Sequence, residues 1–267
     1  MKKRIGVVAI LLVALALSAC ATAPYTGRSQ YITMSADEEI KHGLAASGKI
    51  LSSEPIERDT ARAARVAQIG QRIARVAEQP ELPWAFYVIA GPEVNAFALP
   101  GGKVFVYTGL IEFVDDRDNE LAVVIGHEIA HIMARHAAER VSQQRTVSIG
   151  GALLGIVVGV ASAAATGDFK LGQDVQNVFY SLADIGILLP YSRIQETEAD
   201  HIGAILMAKA GYDPRASVTL WKKMAAENTG GRRRIALLST HPLDETRIAD
   251  LERMMPEALT YYRSDEK

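Results

Sequence analysis

The sequence predicts a mainly helical α+β domain with one small β-sheet. Three observations lead there. Apolar residues at helical spacing dominate the second half, β-branched and aromatic residues cluster between Trp84 and Thr108, and no internal repeat divides the chain. The 267 residues, 49% hydrophobic and 22% charged, suffice for one large core and argue against disorder, collagen or a polytopic membrane protein. A formal charge of -2, from 29 Lys+Arg and 31 Asp+Glu, offers no basic excess, so no nucleic-acid partner is expected. The single cysteine, Cys20, excludes an intramolecular disulfide framework and a cysteine-rich zinc site.

The first element reads as a signal peptide over residues 1–19. Lys2, Lys3 and Arg4 precede the apolar run Ile5 to Leu17, which is shorter than the about 20 residues of a spanning helix, and small Ser18 and Ala19 follow. Leu17-Ser18-Ala19-Cys20 resembles the lipobox of bacterial lipoproteins, which implies acylation of Cys20 and attachment to a membrane. Ala21, where an Asp would resemble an inner-membrane retention signal, makes the periplasmic face of the outer membrane the expected location. Residues 20–34, small and polar with Pro24 and Gly27, read as a tether, leaving 35–267 as the domain.

Ser35 with Glu38 reads as a capping box opening a first helix. Arg58 to Glu78 carries Val66, Ile69, Ile73 and Val76 at helical spacing up to Pro80, so two helices are expected before any strand. Trp84 to Ala90, Asn95 to Leu99 and Val104 to Thr108 read as strands, the last two joined by a Pro100-Gly101-Gly102 turn. From Asp118 the chain reads as helix almost to its end. Gly211 stops one helix, Asp213-Pro214 starts the next and Pro242 opens the last.

Chemistry concentrates in the helix from Asp118. His127-Glu128-Ile129-Ala130-His131 sets two imidazoles four residues and about 40° apart on one helical face, a spacing that chelates a metal ion. Glu128 lies one position around the turn, within reach of a water beside the metal. The preceding Leu121-Ala122-Val123-Val124-Ile125 is strongly apolar, where unpartnered His and Glu side chains would cost several kcal/mol. A catalytic zinc needs a third ligand and an open position. Glu196-Thr197-Glu198-Ala199-Asp200 offers it: Glu196 and Asp200 share a face and Glu198 points roughly opposite. Glu196 is assigned to one zinc per chain, and Asp200 to the outer N–H of one histidine.

These motifs, with Asn95-Ala96-Phe97-Ala98-Leu99-Pro100-Gly101-Gly102 and Thr240-His241-Pro242, resemble the HtpX/CAAX prenyl protease/Oma-like zinc metallopeptidases over roughly 35–255. The likeness is to their soluble periplasmic lipoprotein branch. It implies a gluzincin-type zincin with the small sheet beside the HExxH helix, His127, His131 and Glu196 as zinc ligands and Glu128 as catalytic base. Substrate would lie extended along Asn95, Ala96, Phe97 and Ala98, and Asn95 either bonds it or satisfies the adjacent turn. The expected function is zinc-dependent hydrolysis of unfolded or misassembled envelope proteins. The alternative is a membrane-attached chaperone or assembly factor with a latent site.

His241 has two functional readings, oxyanion stabiliser or inhibitory fourth ligand, beside a plain helix-terminal role, with Arg247 bracing the same corner. His136, about 140° from His131 on a continuous helix, is expected at the surface or behind the site, and His42 and His201 away from it. Arg232-Arg233-Arg234 reads as a solvated loop and Trp221 as core. The glycine-containing apolar run Ile149 to Ala165 reads as a lid, with membrane contact and core helix as the other readings.

Overall fold

The computed structural model describes residues 20–115, 117–146, 191–229, 235–243 and 245–263, which fall into two compact units. The signal segment 1–19, the run Ile149 to Ala165 and Arg232 to Arg234 lie outside the described residues.

The smaller unit comprises, among the described residues, Cys20–Thr22, Arg28–Ser35 and the helical stretch 137–146. Strand β1 (Cys20–Thr22) pairs antiparallel with β2 (Ser29–Tyr31), Cys20 opposite Tyr31. Ile32, Met34 and Ala138 are buried together against Ala21 and Val141, and Arg28 forks onto Glu139 at 2.7 and 2.8 Å. Residues 20–34, expected to be a tether, therefore contain paired strands, which also precede the first helix. Their apolar side chains find partners more than a hundred residues downstream, a pairing that local composition does not reveal.

The larger unit contains Ala23–Gly27, Ala36–His136 and 191–263. In order, its elements are α1 (Ala36–Ser53), β3 (Ile56–Glu57), α2 (Ala61–Ala74), β4 (Ala85–Ile89), β5 (Ala96–Leu99), β6 (Lys103–Tyr107), α3 (Thr108–Val114) and α4 (Asp118–Met133). Then come α5 (Arg193–Lys209), α6 (Ala216–Thr229), α7 (Leu237–Thr240) and α8 (Glu245–Tyr261). The architecture is the mainly helical α+β one. β3 is an addition to the expected elements, being too short to show alternation.

Four strands form a sheet in the order β3-β4-β6-β5, with β4 parallel to β6 and β5 antiparallel to it. Gly101 and Gly102, at φ 85° and 77°, adopt the left-handed backbone that lets the chain reverse between β5 and β6. One face contributes Val88, Ala96, Val104 and Val106 to the main core, and the other stacks Phe97 on Phe105 near Ala46 and Ile50 of α1. Strand β5 is left at the sheet edge.

Thr60 caps α2 by accepting from the Ala63 N–H at 3.1 Å, and Val66, Ile69 and Ile73 bury its apolar stripe as their spacing requires. α4 differs, because every residue from Glu120 to Met133 is buried. A helix buried all round belongs at the centre. Gly211, at φ 81°, ends α5 as expected, with Tyr212 N–H returning to the Met207 carbonyl at 2.8 Å. Among the described residues, no helix is long and apolar enough to cross a membrane.

Candidate metal centre

Two helices build the site. α4 presents His127 and His131 one turn apart, with their Nε2 atoms 3.0 Å from each other. α5 begins with a capping box: the Ser192 hydroxyl accepts from the Gln195 N–H at 3.3 Å, and the Gln195 side chain accepts from the Ser192 N–H at 3.2 Å. That Ser-x-x-Gln signal, readable in the sequence, puts Glu196 in the first helical turn, where the helix dipole favours a carboxylate. Glu196 Oε2 lies 3.4 Å from His127 Nε2 and Oε1 lies 3.5 Å from His131 Nε2.

The helices approach closely enough because glycines meet at their crossing. A Cβ on Gly126 would lie 3.0 Å from the Gly203 carbonyl oxygen, and one on Gly203 would lie 2.9 Å from the His127 backbone nitrogen.

His241 completes the cluster from the end of α7, where its N–H bonds the Leu237 carbonyl at 2.8 Å. It caps that short helix instead of opening the last one. Its Nδ1 sits 3.0 Å from Glu196 Oε1 and 3.2 Å from His127 Nε2, while Nε2 lies 3.4 Å from Glu128 Oε1. One ligand atom from each of His127, His131, Glu196 and His241 falls within 4.8 Å of the other three, and all four residues are buried. Three imidazole nitrogens and a carboxylate oxygen, all from buried residues, are a donor set suited to zinc.

Charged groups behind the cluster are matched. His127 Nδ1 lies 3.0 Å from Asp200 Oδ1, though off the direct N–H line. Arg247 forks onto Asp200 at 2.5 and 3.0 Å and approaches Glu196 Oε2 at 2.7 Å. Its guanidinium rests 3.9 Å above the Trp221 ring, whose edge meets His127. Trp221 is core, as expected, and also the floor beneath this corner.

Among the protein's own groups, burial would push the Asp200 carboxyl up, but the adjacent Arg247 charge and the His127 contact outweigh it and hold the group below 3.8. Burial likewise opposes ionisation of Glu196, and the His241 and Arg247 charges overcome it, so its carboxyl lies well below the usual range. His127 is driven down by burial yet raised to about 9 by Asp200 and Glu196. Burial and the neighbouring His127 charge hold His131 well below 6.5. Glu128 is raised, burial prevailing over the pull of His241 and His127. Among the described residues, neither of its buried carboxylate oxygens has a hydrogen-bond partner in line, although the Ala98 amide of β5 is near enough to temper the shift.

Strand β5 thus runs beside Glu128. Asn95 engages its side-chain oxygen with the Ala96 N–H at 3.0 Å, the turn-satisfying option. The Ala96 side chain is core and the Phe97 ring stacks on Phe105, so it is the β5 backbone, not these side chains, that borders the site. His42 lies 3.8 Å from Glu38 and His201 contacts Glu257 at 2.9 Å, both away from the cluster.

His136 is fully buried and its Nδ1 lies 2.8 Å from His131 Nδ1. The 140° separation assumed a continuous helix. α4 instead ends at Met133, and Arg135 adopts a left-handed φ of 51°, its guanidinium held by Glu39 at 2.7 Å, which turns His136 back toward His131. Tyr191, unremarked in the sequence, stacks on the His131 ring at 3.8 Å.

A buried helix with paired histidines, a carboxylate from a second helix and a sheet edge alongside define a zincin-type metallopeptidase domain. Residues 60–255 match Peptidase family M48, and the chain belongs to that family. It is 41% identical over 194 residues to the mitochondrial metalloendopeptidase OMA1 of Schizosaccharomyces pombe, covering 72% of this chain and 53% of that one. It is 31% identical over 237 residues to the beta-barrel assembly-enhancing protease of Escherichia coli (strain K12), covering 86% of this chain and 46% of that protein. The chain thus spans about half the length of these relatives.

Proposed function

We propose that the chain is a zinc-dependent endopeptidase that hydrolyses misfolded or misassembled proteins of the bacterial cell envelope. The observation that carries this reading is the buried Glu128 carboxylate, without an aligned partner among the described residues, set among His127, His131 and Glu196 beside the edge of β5. Zinc held by those three residues supplies the Lewis acidity for amide hydrolysis. Glu128 takes a proton from the attacking water and returns it to the departing amine, a role that its raised proton affinity suits. An extended substrate pairs with the β5 backbone, which favours unfolded segments over folded ones.

The His241 contacts favour a restrained resting site, because its Nδ1 stands among the ligand atoms. That geometry also suits the alternative of an assembly factor whose peptidase is mostly latent. The envelope location rests on the signal-like residues 1–19 and the lipobox-like Cys20, together with the likeness to a beta-barrel assembly-enhancing protease. Acylated Cys20 anchors the chain at the periplasmic face of the outer membrane in this reading.

Denatured outer-membrane protein, incubated with wild type and with Glu128→Gln while zinc content is measured, tests the proposal. Cleavage by wild type alone, with zinc in both, is expected. Equal cleavage by the two removes Glu128 as base, and no cleavage by zinc-loaded wild type favours the assembly-factor reading.

A further inference from the structure

His131 turns its two ring nitrogens to different neighbours. Nε2 faces the cluster, 3.0 Å from His127 Nε2, while Nδ1 points away from it to His136 Nδ1 at 2.8 Å. The other nitrogen of His136 lies 2.9 Å from Glu198 Oε2, and the Thr26 hydroxyl donates to Oε1 of the same carboxylate. Glu198 and His136 are both buried. Glu198 points away from Glu196 and Asp200 along α5, as its position in the helix dictates, yet this face leads back to the site through His136.

With His136 neutral, one arrangement of protons satisfies the His131–His136 and His136–Glu198 contacts together. An ionised carboxylate can only accept, so His136 donates from Nε2 and keeps a lone pair on Nδ1. His131 must then donate from Nδ1, which leaves its lone pair on Nε2, the atom that faces the cluster. The opposite tautomer of His131 would set two lone pairs against each other at 2.8 Å. His127 receives more direct support, with Asp200 beside its outer nitrogen and Arg247 balancing the charge.

We propose that His136 and Glu198 are positioning residues that hold His131 in its Nε2-ligating tautomer through an imidazole–imidazole–carboxylate relay. The inference rests on the metal reading above. Ligand histidines ordinarily donate their outer N–H straight to a carboxylate, carbonyl or water. Here one further imidazole is interposed. The carboxylate end is fixed by Thr26, remote in sequence from both helices, and the His131 ring plane is fixed by Tyr191 stacked on it. Removing the relay should loosen metal retention as well as slow turnover.

The test measures the zinc dissociation constant by chelator competition on the purified full chain, with thermal unfolding alongside. His136→Phe keeps a ring but removes both nitrogens, whereas His136→Gln places an amide oxygen and nitrogen to accept and donate in their stead. His136→Phe is expected to weaken zinc about 10–100-fold and His136→Gln to recover to within about threefold of wild type. Zinc binding by His136→Phe equal to wild type overturns the relay, as does His136→Gln binding no better than His136→Phe. A second measurement does not depend on either variant folding. Nitrogen-15 NMR of the zinc-loaded wild type should show His131 protonated at Nδ1 and His136 at Nε2, and the reverse tautomers overturn the proposal. Wild type that binds no zinc overturns the metal reading itself, which separates that failure from a failure of the relay.

Discussion

The Gly203 α-carbon faces the His127 backbone so closely that a methyl group there would stand 2.9 Å from the His127 nitrogen and 3.0 Å from the Gly126 carbonyl carbon. Both contacts are with backbone, which cannot swing aside as a side chain would. Gly203→Ala is therefore expected to separate α4 from α5, costing about 1–3 kcal/mol as overpacking does. Because the same crossing sets Glu196 against the two histidines, zinc affinity should fall with stability. Thermal unfolding and chelator competition check both, and unchanged zinc affinity would show that the ligand spacing tolerates the shift.

His241→Ala is expected to raise basal cleavage of an unfolded substrate, since its Nδ1 stands among the ligand atoms and Nε2 beside Glu128. A fall of about 10²–10³-fold in kcat would assign the oxyanion role instead. Steady-state kinetics at measured zinc content distinguish the two signs.

Arg247→Ala should be among the most destabilising substitutions at the site. It leaves the buried carboxylates of Asp200 and Glu196 without their guanidinium, a loss of about 3–5 kcal/mol when one partner of a buried pair is removed. Arg247→Lys should restore only part, since an ammonium cannot fork onto Asp200. Burial raises the Asp200 carboxyl and Arg247, together with the His127 contact, more than reverses it, so its folded value lies below the unfolded 3.8. The Asp200 contribution is thus present above about pH 4 and is lost as pH falls through the lowered value. Unfolding midpoints of wild type and Arg247→Ala should accordingly differ most near neutrality and converge in acid.

Cys20→Ser is expected to move the chain from the membrane to the soluble periplasmic fraction, because the lipobox-like Leu17-Ser18-Ala19-Cys20 offers no other acylation position. Retention of the variant on carbonate-washed membranes would require a different attachment.

The sequence by itself determined what depends on local period. Two histidines four apart on a helix must share a face, Glu128 must lie beside them, and Glu196, Glu198 and Asp200 must divide between two faces of theirs. The glycine turn between β5 and β6 and the helix stop at Gly211 were legible too, since each needs a left-handed backbone that glycine adopts most readily. Tertiary structure decided the rest, where distance along the chain conceals proximity or a backbone break defeats the period. Arg247 and His241 reach the cluster from more than forty residues beyond Glu196, and the backbone of β5 reaches Glu128 only through sheet order. His136 is the sharpest instance. Helical arithmetic sends it away from His131, but the left-handed turn at Arg135, held by a carboxylate nearly a hundred residues earlier in the chain, brings it back. A non-glycine residue takes that conformation against its own preference, so only the surrounding packing could impose it.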